Sequence, residues 1–178
     1  MRVIAGLYKG RKLVAPKGDT RPTLDRTKET LFNILAPRLR DAFFVDLFAG
    51  SGQIAIEALS RGATEVLLCD SDRFAKLAIE ENFAKIGVRP RLMCCDYKHC
   101  LDSVAPKTVD VMFVDPPYLS GVYESVLEIV CKKDLLAKDG IVVCEHLANM
   151  SLPSKIGNLS VYDCRKIGTV MFTFYSAE

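Results

Sequence analysis

Four consecutive residues, Asp115-Pro116-Pro117-Tyr118, offer the sharpest chemistry in the chain. An exocyclic amine on a nucleobase is a poor nucleophile, because its lone pair is delocalised into the ring. Methylating it requires the nitrogen to be aimed along the methyl–donor bond, at a near-attack distance of about 3–3.5 Å. The Asp115 carboxylate and the Pro116 main-chain carbonyl are two acceptors for the two amine hydrogens, and together they draw the nitrogen toward tetrahedral geometry. Consecutive prolines fix φ and remove N–H donors, so the loop is stiff and presents carbonyls. Tyr118 offers a flat face on which an extruded base stacks. A methyl carried on a cationic sulfur is already a good electrophile, so Asp115 need not be a strong base: it either orients the amine alone or also takes its proton late. The bland alternative is a proline turn with an incidental tyrosine. The position of the motif, after an apolar strand and downstream of a glycine loop, weighs against that.

The glycine loop is Asp46-Leu47-Phe48-Ala49-Gly50-Ser51-Gly52. It follows one apolar run and opens a helical one, where open α/β sheets bind ligands. Position 55 is Ala, so G-x-G-x-x-G is incomplete, and the P-loop pattern is absent. Asp46 would repel a pyrophosphate and attract an ammonium group. Asp46, Phe48, Gly50 and Gly52 are the loop's candidates for cofactor binding. Asp70 ends the second strand, where a carboxylate accepts hydrogen bonds from a ribose diol. Asp96 ends the third, where it meets an adenine amine or instead caps the following helix. A ligand with ammonium, ribose and adenine but no phosphate is S-adenosylmethionine. Alone, the glycine pair also fits a plain strand–helix turn.

These residues need an α/β frame to position them. Phe43–Leu47 reads as a strand, followed by the loop and a helix through Ser60 that Gly62 stops. Residues 66–69 read as a strand, Arg73–Ile86 as a helix stopped by Gly87, 91–95 as a strand and 97–104 as a short helix. Residues 111–114 are a strand, 122–132 a helix and 141–144 a strand. Two further β-like runs, 159–162 and 170–175, suit an antiparallel edge. Strands alternating with helices imply a mostly parallel sheet covered on both faces. Before residue 40 the chain reads as short strands at 3–5 and 12–14, then a helix over 26–35 capped by Asp25 and ended by Pro37.

The chain has 178 residues, enough for one domain with a real core, and 49% are hydrophobic. No apolar run approaches the roughly 18 residues of a membrane span, and the start lacks the apolar core of a signal peptide. Seven cysteines without paired spacing fit reduced thiols in a cytoplasm. The net charge of +2 argues weakly against nucleic acid until it is divided. Residues 1–40 hold ten basic side chains against three acidic, and the rest hold fourteen against nineteen. A basic extension (1–40) on a mildly acidic catalytic domain (41–178) suits a polyanion. Lys9, Arg11, Lys12, Arg21, Arg26 and Lys28 are its candidates for RNA contact; a solvated basic face without a partner is the alternative.

Residues 2–13 (RVIAGLYKGRKL), 21–33 (RPTLDRTKETLFN), 46–63 (DLFAGSGQIAIEALSRGA), 115–118 and 140–146 (GIVVCEH) carry a resemblance over nearly the full length. The chain resembles the RsmD-type bacterial methyltransferases, which methylate guanine N2 in small-subunit (16S) ribosomal RNA. The resemblance implies a Rossmann-like class I methyltransferase fold: a seven-stranded, mostly parallel sheet with helices on both faces and its last strand inserted antiparallel. It implies that Asp46, Gly50 and Gly52 hold the methionine part of S-adenosylmethionine, Asp70 the ribose and Asp96 the adenine. It puts Asp115, Pro116 and Tyr118 at the target base and residues 21–26 at the mouth of the site. The partner implied is 16S ribosomal RNA or a small-subunit assembly intermediate, with no membrane and no protein partner required. Two positions depart from the family pattern: Ala55 replaces a usual Gly, and Lys28 replaces a common Arg, losing a bidentate fork.

Rival readings are an adenine-N6 DNA or RNA methyltransferase, which shares this type of motif, and a noncatalytic RNA-binding factor on the same fold. The first lacks sequence to read a DNA site; an intact cofactor loop and Asp115 speak against the second. A nicotinamide enzyme suffers from the missing third glycine. Cys94, Cys95, His99 and Cys100 cluster without a C-x-x-C pair, so no metal is expected. Glu145 and His146 read as structural partners of each other, and Tyr8, Tyr97 and Tyr123 as packing residues.

Overall fold

The apolar runs form the centre of one sheet because both of its faces are covered. A computed structural model of the chain describes residues 1–16, 25–117 and 121–178. Five strands run parallel: β1 (Phe43–Leu47), β2 (Glu65–Cys69), β3 (Arg91–Met93), β4 (Val109–Val114) and β5 (Leu136–Leu147). Three more, β6 (Lys155–Ile156), β7 (Leu159–Ile167) and β8 (Val170–Ala177), pair antiparallel. The order is β3-β2-β1-β4-β5-β8-β7-β6, with the last strand inserted between β5 and β7. The sheet has eight strands rather than the seven expected, because the two-residue β6 extends the β7 edge. Strand order reverses between β1 and β4, and such switch points open a crevice beyond the carboxyl ends of the strands.

Side chains alternate across the sheet. Phe44, Phe113, Ile141 and Val143 face a core shared with α1 (Asp25–Leu35), α2 (Gln53–Ser60) and α3 (Arg73–Ile86). Val45, Leu47, Val114, Val142 and Cys144 face α4 (Tyr97–Asp102) and α5 (Tyr123–Lys133). Helix α3 begins and ends where the sequence indicates: Asp72 caps it, accepting from the Phe74 N–H, and Gly87 closes it at φ 71°.

Three local expectations change. Asp25 is the first residue of α1 rather than its cap, and its carboxylate pairs with Arg2 at 2.9 Å. The strands expected at 3–5 and 12–14 reduce to one bridge, Arg2 to Lys12, because donors and acceptors of this segment are taken by side chains of α2 and α3. Strand β5 runs 12 residues instead of four, since pairing to β4 on one side and β8 on the other draws polar residues into the ladder.

Candidate active site

The loop after β1 is built on backbone that side chains resist. Gly52 sits at φ 72° and N-caps α2; a Cβ there would lie 3.1–3.2 Å from Leu68, Ile79 and Phe83. Gly50, at φ 56°, has nothing within 4 Å of the corresponding point, so its outer side is open to a ligand. Phe48, between them and the strand, holds φ 64° without being glycine, and its ring meets Tyr97 at 5.6 Å. Unfavourable backbone of this kind persists where surrounding structure enforces it, and it gathers at ligand sites.

The strand-end acids fix this loop. Asp70 Oδ2 accepts from the Gly50 N–H at 2.8 Å, and Oδ1 accepts from the Asp72 N–H at 2.8 Å. Each oxygen retains acceptor capacity for a ligand hydroxyl. Asp46 is 1% exposed and accepts from the Ala55 N–H at 3.2 Å. Burial pushes its carboxyl well above the usual range against the pull of that N–H, and Asp115 and Asp70 push it further. Ala55, which stands where the resemblance expects Gly, is buried in the same core, and its amide is used here. Asp96 is exposed and caps α4, accepting from the Lys98 N–H at 2.9 Å.

Asp115 follows β4 across the switch point, half-buried, with Pro116 buried behind it and Pro117 exposed. Burial pushes its carboxyl up to about 7. Tyr118 and Arg21 lie outside the described residues. Glu145, on β5 beside Asp115, is 3% exposed, and its Oε2 has no hydrogen-bond partner among the described residues. Burial, then the Asp115 charge, raises its carboxyl to about 9. Glu145 does not pair with His146: the imidazole Nε2 meets Thr173 Oγ1 at 2.8 Å and Nδ1 the Leu147 carbonyl at 2.9 Å. Adjacent residues on a strand point to opposite faces. The run at 94–100 is likewise divided, Cys94 being exposed and Cys100 buried.

Residues 1–16 of the basic extension are anchored rather than free. Glu57 accepts from the Ile4 and Ala5 N–H groups at 2.8 and 3.1 Å, and Ser60 Oγ accepts from Tyr8 N at 2.9 Å. Asn82 accepts from Val14 N at 2.8 Å and donates to Val14 O and Ser51 O, tying the extension to the glycine loop. Sequence reading missed both Glu57 and Asn82; a lone Glu inside the apolar helix QIAIEALS was the available signal. Lys9, Arg11, Lys12 and Arg26 are exposed. Lys28 is 0% exposed, which corrects its expected place at the RNA surface. Its Nζ donates to Arg2 O at 2.6 Å and to Gln53 Oε1 at 3.5 Å, and lies 3.8 Å from Glu57. Burial lowers the pKa of Lys28, opposed by the neighbouring Glu57 charge.

Strand order, the inserted antiparallel β8 and a glycine loop at the switch point define a Rossmann-like fold of the class I methyltransferase type. Within that class the chain belongs to the family described as conserved hypothetical protein 95, whose model matches residues 1–176. It is similar to the putative rRNA methyltransferase YlbH of Bacillus subtilis, 35% identical over 164 residues, covering 89% of each chain. It is similar to the ribosomal RNA small subunit methyltransferase D of Escherichia coli, 33% identical over 181 residues, covering 100% of this chain and 90% of that one. The solved structure of the putative methyltransferase yhhF from Escherichia coli superposes with a TM-score of 0.87 at 34% identity, covering 100% of this chain and 98% of that one.

Proposed function

We propose that this protein transfers a methyl group from S-adenosylmethionine to the exocyclic N2 amine of a guanine in small-subunit (16S) ribosomal RNA. The observation that carries the reading is the meeting, across the β1/β4 switch point, of an open glycine loop with Asp115. The names of the full-length relatives support methylation of small-subunit ribosomal RNA; guanine N2 rests on the family resemblance.

Asp46, Phe48, Gly50 and Gly52 fit the methionine part, since the loop is held from behind and open at Gly50. Asp70 faces the ribose with the capacity left on its oxygens. Asp96 serves the adenine while also capping α4. S-Adenosylmethionine supplies a methyl group on a cationic sulfur. Asp115 and the Pro116 carbonyl hold the two amine hydrogens, Tyr118 stacks on the base, and Asp115 takes the released proton. Lys9, Arg11, Lys12, Arg21 and Arg26 meet phosphates of the RNA, naked or in an assembly intermediate, in the cytoplasm. No helix among the described residues is long and apolar enough to cross a membrane.

The test is incubation of the purified protein with labelled S-adenosylmethionine and small-subunit RNA or particles from cells lacking the protein, followed by nucleoside mass spectrometry. N2-methylguanosine is expected; N6-methyladenosine would give the site to adenine instead. Asp115→Ala should lower turnover at least about 100-fold while leaving cofactor affinity by calorimetry close to wild type. Equal loss of both would remove Asp115 from the amine. No cofactor binding by the wild type would leave a noncatalytic RNA-binding factor.

A further inference from the structure

Asp115 does not stand alone at the carboxyl end of the sheet. The parallel ladder ends with Val114, the last residue of β4, opposite Cys144 of β5, so Asp115 leaves β4 next to Glu145 and its charge acts on the Glu145 carboxyl. Val143, two residues earlier on β5, faces the core shared with α1–α3, and alternation turns Glu145 to that same face. On the other flank Glu145 is opposite Phe172 of β8, an apolar neighbour. From α5 the Tyr123 hydroxyl donates to the Glu145 main-chain carbonyl at 2.6 Å and so fixes the backbone there. Asp115 is the charged group that acts on the Glu145 side chain.

Glu145 Oε2 is buried, and among the described residues no donor is directed at it. An ionised oxygen in that position is an uncompensated buried charge beside a second carboxylate, the most costly arrangement available to the pair. A proton on Oε2 removes the charge and turns the orphan acceptor into a donor. The acceptor whose charge reaches it is Asp115, at the end of the adjoining strand.

We propose that Glu145 is the positioning residue for Asp115: from the adjoining strand its uncharged carboxyl directs the Oε2 O–H to the Asp115 carboxylate, so that Asp115 keeps its charge and turns its other oxygen to the substrate amine. This rests on the methyltransferase reading above. The burial effects agree, since the Glu145 carboxyl is pushed higher than that of Asp115 and the first proton to leave the pair as pH rises is the one on Asp115.

The pairing is tested first in the free protein, by carboxyl carbon NMR of chain labelled at Asp and Glu. Glu145 should stay protonated through neutral pH, and in Asp115→Asn its titration midpoint should fall by about one pH unit, because a like charge has gone. A Glu145 midpoint in the ordinary carboxylate range, or one unmoved in Asp115→Asn, overturns the proposal. The positioning role is tested by the pH profile of methyl transfer to small-subunit RNA. Glu145→Leu should lower turnover about tenfold or more at pH 7 and move the acid limb upward by about one pH unit, with cofactor affinity retained. Glu145→Gln, which still donates, should recover most of the lost turnover and return the limb toward wild type. A wild-type limb in Glu145→Leu, or a Glu145→Gln enzyme as impaired as Glu145→Leu, overturns it. Failure of the wild type to methylate any RNA would instead defeat the functional reading, while the NMR titration would still decide the pair.

Discussion

At the residue scale, carboxyl groups that burial has pushed upward make stability depend on pH in a definite direction. The folded-state pKa of Asp115 is about 7, above its ordinary value of 3.8. Folding therefore favours its protonated form; that stability is complete below about pH 4 and is lost as pH rises through 7. His146 works in the opposite sense, because burial lowers its pKa from 6.5, so wild-type melting temperature alone mixes the two. The difference between Asp115→Asn and wild type removes the His146 contribution and leaves that of Asp115 together with the shift it imposes on Glu145. The variant's relative melting temperature should climb between about pH 4 and about pH 7, the range in which Asp115 itself titrates. A difference independent of pH, in calorimetric melts, would show that Asp115 ionises freely. The placement of Asp115, Pro116 and the glycines just past the ends of strands was legible in the sequence, because an apolar run precedes each. Glu145 was legible only in principle. Reading it with His146 ignored the two-residue period of a strand, which sends them to opposite faces.

At the element scale, the glycine loop couples local conformation to packing. Gly52→Ala places a methyl 3.1–3.2 Å from three core side chains at φ 72°, so it meets both strain and crowding. A loss of about 2–3 kcal/mol is expected in urea unfolding. Gly50→Ala meets only the conformational cost at φ 56°, about 1 kcal/mol, because the space around it is open. The two variants should therefore separate: Gly52→Ala loses stability, while Gly50→Ala loses cofactor affinity at a smaller cost in stability. Equal destabilisation would mean that the outer side of the loop is already filled. Helices such as α3 were readable nearly to the residue, since Asp72 and Gly87 satisfy the helix ends by local chemistry. The full length of β5 was not, because its polar residues are ordered by pairing with β4 and β8, contacts distant in sequence.

At the scale of the whole molecule, residues 1–16 of the basic extension are a fixed surface, and their anchor and their charge are separable. Glu57, 0% exposed, binds Lys28, Arg61 and two backbone N–H groups of the extension. Glu57→Ala leaves the buried Lys28 without its carboxylate, at a cost of about 3 kcal/mol, and should expose residues 1–16 to limited proteolysis. Unaltered cleavage would show that apolar packing of Val3 and Leu13 suffices to hold the segment. RNA affinity divides along the same line. Each lysine or arginine on a phosphate contributes roughly 0.7–0.9 to the slope of log affinity against log salt concentration. Replacing the exposed Lys9, Arg11 and Lys12 together by Ala should therefore lower that slope by about 2–3, with cofactor affinity unchanged. Lys28→Met is the internal control, because a side chain enclosed between Glu57, Gln53 and the Arg2 carbonyl releases no counterion from RNA. It should shift the melting temperature and leave the salt slope at the wild-type value. A slope that falls in Lys28→Met and stays constant in the triple variant would put the RNA on the other side of this extension.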